Sequence, residues 1–354
     1  MSLVRTAIRC LVLVVVPYAA AQAPTDPLPD FGGSPPPAQE TPNRFPPAEV
    51  RERHTAPPAF VRHDRYVSIQ ANVDSSGNNI VGDAANEPTM AVDPTNPNRI
   101  VIGWRQFDSI QSDFREAGWA YSRDAGRHWT FPGVLENNVF RSDPVLAVDA
   151  EGVFYYYSLR NTNPYTCQTF ISSDGGATWL GPISAYGGDK AWTALDRTGG
   201  LGHGNFYAAW DYAGCCGDNW FTRSVDGGLT YMNPIPLPNQ PYWGTVAIGP
   251  AGQLYVVGGF NNSSNYRFLR SSNARDPNVT PTFDLNVAVN LGGTMRFNLG
   301  YGPNPGGLIG QVWVAADHSG GATHGYLYTL FSCDPNGADP ADVRFTRSIN
   351  GGST

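Results

Sequence analysis

"SSDGGATW", Ser172 to Trp179, decides the fold because the chain repeats it. "SRDAGRHW" begins at Ser122 and "SVDGGLTY" at Ser224, so three copies of Ser-x-Asp-x-Gly-x-(Thr/His)-aromatic stand 50 and 52 residues apart. A decayed copy, "FLRSSNARD", carries Ser271 in register with Asn273 in the Asp position, and "SINGGST" begins at Ser348. An Asp at a hairpin tip accepts hydrogen bonds from N–H groups of its own turn. The glycine after it takes positive φ, and the aromatic returns into the layer between strands. Ser122, Asp124, Gly126 and Trp129, with Ser172, Asp174, Gly176 and Trp179 and with Ser224, Asp226, Gly228 and Tyr231, are therefore read as structural staples rather than catalytic groups.

A second repeat runs in step: "PTMAVDP" before Thr95, "PVLAVDA" before Glu151, "AWTALDR" before Thr198 and "GTVAIGP" before Ala251. Each is followed by a turn and a second apolar strand, "RIVIGW", "VFYYYSL", "NFYAAW" or "QLYVVGG". One unit is thus strand, turn, strand, loop, strand, Ser-x-Asp turn, strand. Four antiparallel strands recurring about every fifty residues make a blade, and radial repetition of blades makes an all-β propeller. The 40 glycines, 30 prolines and 12% aromatic residues agree with many short strands joined by turns.

The flanks complete the organisation. "MSLVRTAIRCLVLVVVPYAAAQAP" has arginines, an apolar run and small residues in the order of a secretory signal, expected to be cut after Ala21. From Pro24 to Pro58 there are eleven prolines in thirty-five positions, too few apolar groups to offset chain entropy. Residues 1–21 are read as a signal peptide, 22–65 as a Pro-rich linker and 66–354 as the propeller. The expected location is secreted, periplasmic or cell-surface, with no membrane span once the signal is removed. The net charge of -7 argues against nucleic acid as a partner. Cys167, Cys215, Cys216 and Cys333 remain after signal removal and allow three pairings. A bond between the adjacent Cys215 and Cys216 is the least expected of them, since disulfide geometry favours a larger separation.

The boxes resemble the Asp-box, or bacterial neuraminidase repeat, of the sialidase superfamily, over the chain from about Glu87 to Thr354. The resemblance implies a sialidase-like propeller that recognises glycans, with exo-acting, sialidase-type glycoside hydrolysis as one reading. A non-catalytic propeller for adhesion or protein binding is a second, and a neutral-polysaccharide hydrolase with two carboxylates a third. Sialidases also carry a (Phe/Tyr)-Arg-Ile-Pro segment that begins an arginine clamp. Here "NRFPPAEV", Asn43 to Val50, puts Arg44 before the aromatic, so that arginine is not carried over.

Blade topology places a site. The Ser-x-Asp turns leave one face, so the opposite face is built from residues just before each first strand and just after each second strand, and functional groups concentrate in such loops. Those positions hold Glu87, Arg141 with Asp143, Asp189 with Lys190, Tyr242 with Trp243, and Arg296, together with Arg105, Arg160, Asp211 and Tyr212. Asp143, Glu87 and Tyr242 are the catalytic candidates. Arg105, Arg141, Asp189, Lys190, Trp243 and Arg296 are the substrate-binding candidates, Lys190 being the only lysine in the chain. Strand capping and ion pairing between blades would explain the same charges. The six histidines form no zinc arrangement, and no cofactor is expected; "CDPNGADPAD", Cys333 to Asp342, carries oxygen ligands for calcium without the alternation of a calcium loop. Finally, "SINGGST" lacks its aromatic. The chain reads as ending inside its fifth blade of a ring that is six-bladed when complete, with "RYVSIQANV", Arg65 to Val73, closing it as an outer strand.

Overall fold

A computed structural model describes residues 58–260, 263–295, 311–335 and 341–354. The signal peptide, most of the Pro-rich linker with Arg44, Arg296 and part of the Cys333–Asp342 stretch lie outside them. All the described residues belong to one compact unit, Ala38–Thr354, and among them every regular element is a strand, so none is a helix able to cross a membrane.

The fold is a β-propeller. Its first blade is β3 (Ala84–Val92), β4 (Ile100–Phe107), β5 (Glu116–Ser122) and β6 (Thr130–Val134), hydrogen-bonded in chain order and antiparallel throughout. The second repeats it with β7 (Arg141–Val148), β8 (Phe154–Arg160), β9 (Thr166–Ser172) and β10 (Leu180–Ser184). The third has β11 (Trp192–Leu195), β12 (Phe206–Ala209) and β13 (Phe221–Ser224), with Ile235 bridging Phe221 where a fourth strand would run. The fourth is β14 (Val246–Ile248), β15 (Leu254–Gly258), β16 (Asn265–Ser271) and β17 (Leu285–Asn290). The fifth is β18 (Trp313–Ala316), β19 (Leu327–Cys333) and β20 (Asp342–Ser348). Each first strand packs beside the first strand of the next sheet, from β3 through β7, β11 and β14 to β18, so these five line the axis.

Two differences from the sequence reading stand out. β1 (Phe60–His63) and β2 (Tyr66–Ile69) pair with each other, so the segment expected to serve as an outer strand is half of a separate hairpin that begins inside the stretch read as linker. The fifth inner strand is "WVAA", followed by Asp317, which sequence reasoning passed over.

The reason for the recurring "AVD" is visible along the axis. Taking Glu87, Asp143, Lys190, Trp243 and Gln311 as a common origin, the residue four places on is Ala91, Ala147, Ala194, Ala247 or Ala315. Side chains alternate along a strand, so these methyls share a face with the residues two places on, Thr89, Val145, Trp192, Thr245 and Trp313. Trp192 and Trp313 touch across two blades, at 4.6 Å between ring centroids, which identifies that face as the axial one. Only small groups fit where five strands converge. Two places further, Asp93, Asp149, Asp196 and Asp317 cap the turn to the second strand by accepting N–H bonds from Thr95, Glu151, Thr198 and Ser319.

The Ser-x-Asp turns have one geometry. Ser172 Oγ donates to Asp174 at 2.9 Å and accepts from Gly176 N–H at 2.8 Å, and Asp174 accepts from Thr178 N–H at 2.9 Å. The same three bonds recur at Ser122 and at Ser224. "SINGGST" makes them too with Asn350 as acceptor, because an amide oxygen serves the turn as well as a carboxylate oxygen. The turns also join blades: Trp119 Nε1 donates to Gly176 O at 2.8 Å, Trp179 packs edge-on against Trp119 and Tyr156, and Tyr231 hydroxyl meets Thr169 at 2.7 Å. Gly176 sits at φ +86° with space for a Cβ only 2.6 Å from buried Val101. Gly176→Ala is expected to cost about 2–3 kcal/mol from backbone strain and overpacking together, read as a lower urea midpoint at unchanged m-value.

Candidate active site at the axial face

Glu87, Asp143, Lys190 and Trp243 occupy the same position in four successive blades, one residue before the inner strand turns down the axis. All four have left-handed backbone, at φ of 51°, 47°, 50° and 53°. Non-glycine residues rarely adopt this region, and each does so at a cost of about 1 kcal/mol or more. β-Bulges accompany it where the register shifts between Asn86 and Thr89 and between Ser142 and Val145. A bulge re-aims the side chain that it carries. Repeated in register, it directs a ring of unlike side chains to the face opposite the Ser-x-Asp turns.

Asp143, Asp189 and Lys190 form the centre of that ring. Lys190 Nζ lies 2.9 Å from Asp189 Oδ1 and 3.4 Å from Asp143 Oδ2, and its backbone N–H donates to Asp143 Oδ2 at 2.9 Å. Ser142 hydroxyl donates to Asp143 Oδ1 at 2.9 Å. Burial by itself would raise Asp143. The Lys190 charge, a hydrogen bond from Asp189 and those from Lys190 N–H and Ser142 outweigh it and hold Asp143 well below the ordinary carboxylate range. Asp189, fully buried, goes the other way: burial pushes it well above that range despite Lys190. The two carboxyls are thus driven apart, Asp189 toward its protonated form and Asp143 toward its ionised one. Burial would lower Lys190, but the two carboxylates beside it keep its ammonium above the usual value.

Around this centre, Glu87 accepts an ion pair from Arg105 at 2.9 Å and remains 44% exposed at its side chain. Partial removal from water, then the charge of Asp143, raise it above its usual value against the pull of Arg105 and Lys190. Arg105 also donates to Asn86 at 2.8 Å. Arg115 and Tyr165, which sequence reasoning missed, face the same charges: Arg115 lies 4.4 Å over the Phe140 ring and reaches Ser142, and burial followed by Asp189 raises Tyr165. No local motif marks either residue.

Other candidates are placed differently. Arg141 is 1% exposed, paired with Glu136, bonded to Gln168 and stacked 4.8 Å over Phe170, so it braces the second blade rather than facing the axis. Trp243 is buried and its indole N–H donates to Asp211. Tyr242 packs edge-on against Tyr212, Trp243 and Phe260 beside a small cleft that reaches Lys190. Gln311 stands in register for the fifth blade. Cys215 and Cys216, the pair least expected to bond, form a disulfide, while Cys167 and Cys333 are buried thiols. Cys216 at φ +78° gives the loop the turn that lets the neighbours meet. That loop pairs with the strand start: Cys215 N–H donates to Gly187 O, and Asp189 N–H to Ala213 O.

Asp211 is fully buried and accepts from Ala213 N–H at 2.7 Å as well as from Trp243. Burial pushes it up to about 7 against those hydrogen bonds. A raised folded-state pKa favours the neutral acid, so its contribution to stability is full below the unfolded value and is lost as pH rises through the folded one. Asp211→Asn removes this loss. The unfolding free energy of the variant relative to the parent is therefore expected to improve as pH climbs from about 4 to about 7, measured by urea unfolding across that range.

No protein-family model matches the chain, and no curated protein does. Solved structures do. The fold resembles that of sialidases. A Hadza microbial sialidase aligns with 10% identity and a TM-score of 0.46, over 75% of this chain and 53% of that one, so the chain spans about half its length. The Trypanosoma rangeli sialidase aligns with 12% identity and a TM-score of 0.36, over 79% of this chain and 58% of that one. A β-xylosidase/α-arabinofuranosidase from a compost microbial metagenome aligns with 10% identity and a TM-score of 0.39, over 74% and 90%.

Proposed function

We propose that the chain is an exported, glycan-acting propeller that hydrolyses glycosidic bonds at its axial face, with Glu87 as proton donor and Asp143 as the ionised partner. One observation carries the reading: two carboxyl groups in the same register of adjacent blades, both on left-handed residues, with environments that drive their protonation apart. A pair of titratable groups separated in this way is what acid and base assignments require. Glu87, more exposed and raised, delivers its proton to the departing oxygen. Asp143, held ionised by Lys190 and by the proton on Asp189, takes the proton of the attacking water or stabilises the oxocarbenium centre. Glycan-acting propellers among the structural neighbours accord with the substrate class, and the leader-like N-terminus with action outside the cytoplasm.

The test separates leaving groups. Glu87→Gln should lower kcat on alkyl glycosides by about 10²–10⁴-fold and have much less effect on nitrophenyl glycosides, whose leaving group needs no proton. Equal losses on both would remove Glu87 from the role of acid, and absence of hydrolysis on a broad glycoside panel would favour the adhesive reading.

A further inference from the structure

Among the described residues, the cations nearest the paired carboxyl groups are engaged, while Arg160 at the end of β8 is exposed. Arg105 is held by Glu87 and Asn86, Lys190 by two aspartates, and Arg115 by Phe140 and Ser142, while Arg141 is sealed in the second blade. A sugar carboxylate would have to displace one of these partners and then lie among Glu87, Asp143, Asp189 and Asp211. Beneath the ring the chemistry changes. Trp192 and Trp313 stand two residues further along their strands, about 7 Å deeper, in contact at 4.6 Å and 74°. Trp313 is 45% exposed. At the same level the other three inner strands carry the smaller side chains Thr89, Val145 and Thr245. An apolar aromatic floor under a rim of hydrogen-bonding groups is the usual construction of a small-ligand site.

We infer that the axial site takes an uncharged sugar residue, stacked on the Trp192–Trp313 floor and hydrogen-bonded by the exposed carboxyl of Glu87 at the rim. This rests on the glycan reading above and adds its substrate class, neutral rather than acidic. Anionic sugars are disfavoured by the carboxylates of Glu87 and Asp143 and by the pairing of the central cations, and the floor recognises the apolar face that a neutral pyranose or furanose presents.

Calorimetric titration of the full chain tests it. The probes are neutral xylo-, manno-, cello- and galacto-oligosaccharides, with sialyllactose and oligogalacturonate as anionic counterparts. At least one neutral series should bind at least about tenfold more tightly than either anionic probe, and Trp313→Ala, provided it remains folded, should weaken it about tenfold. Trp313→Leu, which keeps apolar bulk but no ring, serves if the alanine variant fails to fold and should weaken binding likewise. Tighter binding of an anionic probe, or unchanged affinity in a folded Trp313 variant, overturns the inference. The outcomes also separate the two readings. Neutral-sugar binding with no cleavage sinks the hydrolase but keeps the floor, whereas sialoside cleavage indifferent to Trp313 keeps the hydrolase and sinks the floor. Binding of neither class counts against both.

Discussion

Asp143→Asn is expected to reduce glycoside hydrolysis by about 10³-fold or more in kcat/KM while leaving the protein folded. Asparagine is nearly isosteric, and Asp189, 2.9 Å from Lys190, is left to take up the counter-charge once Asp143 is gone. What is lost is the site's carboxylate held ionised below the ordinary range, so no pH adjustment restores the rate. In the parent, activity should persist below the ordinary carboxylate range and fall on the alkaline side as Glu87 gives up its proton. Steady-state kinetics across pH, with sugar affinity measured separately, distinguishes lost chemistry from lost binding. A rate within a few-fold of the parent would remove Asp143 from the mechanism.

Lys190→Met should have the largest effect on stability, about 3–5 kcal/mol at neutral pH. It leaves Asp143 and Asp189 adjacent and buried with no cation between them, and an uncompensated buried charge costs more than the pair returned. The sign of the pH dependence follows from Asp143. Its folded pKa is depressed by Lys190, so this stabilisation is present above the unfolded pKa and lost as pH falls through the folded one. The gap between variant and parent should narrow steadily in acid, where Asp143 in the variant takes up a proton. Denaturant unfolding at neutral and acidic pH checks both parts; a gap below about 1 kcal/mol, typical of an exposed pair, would mean that water screens the cluster.

The blades were legible because their information is repeated. Asp174 and its counterparts must satisfy the same turn, and Ala147 and its counterparts must fit the same crowded axis, so residue type tracks geometry. The ring of left-handed residues was only half legible. Glu87, Asp143 and Lys190 stood out as charges, but nothing in a string reading Glu, Asp, Lys, Trp shows that these four positions share a backbone conformation. Arg141 misled for a related reason: it precedes the inner strand as Asp143 does, yet the bulge after Ser142 breaks the alternation between them, and Glu136, Gln168 and Phe170 hold its guanidinium in the blade. The disulfide misled because ordinary separations do not anticipate a left-handed Cys216.

The single lysine has a practical consequence. In most proteins amine-reactive reagents report a scatter of surface sites, but here the only side-chain amine stands at the hub, 16% exposed and clasped by two carboxylates. Acylation of this chain beyond its α-amine is accordingly a clock for the opening of one place. The reagent that usually maps a protein's exterior becomes a gauge of its interior.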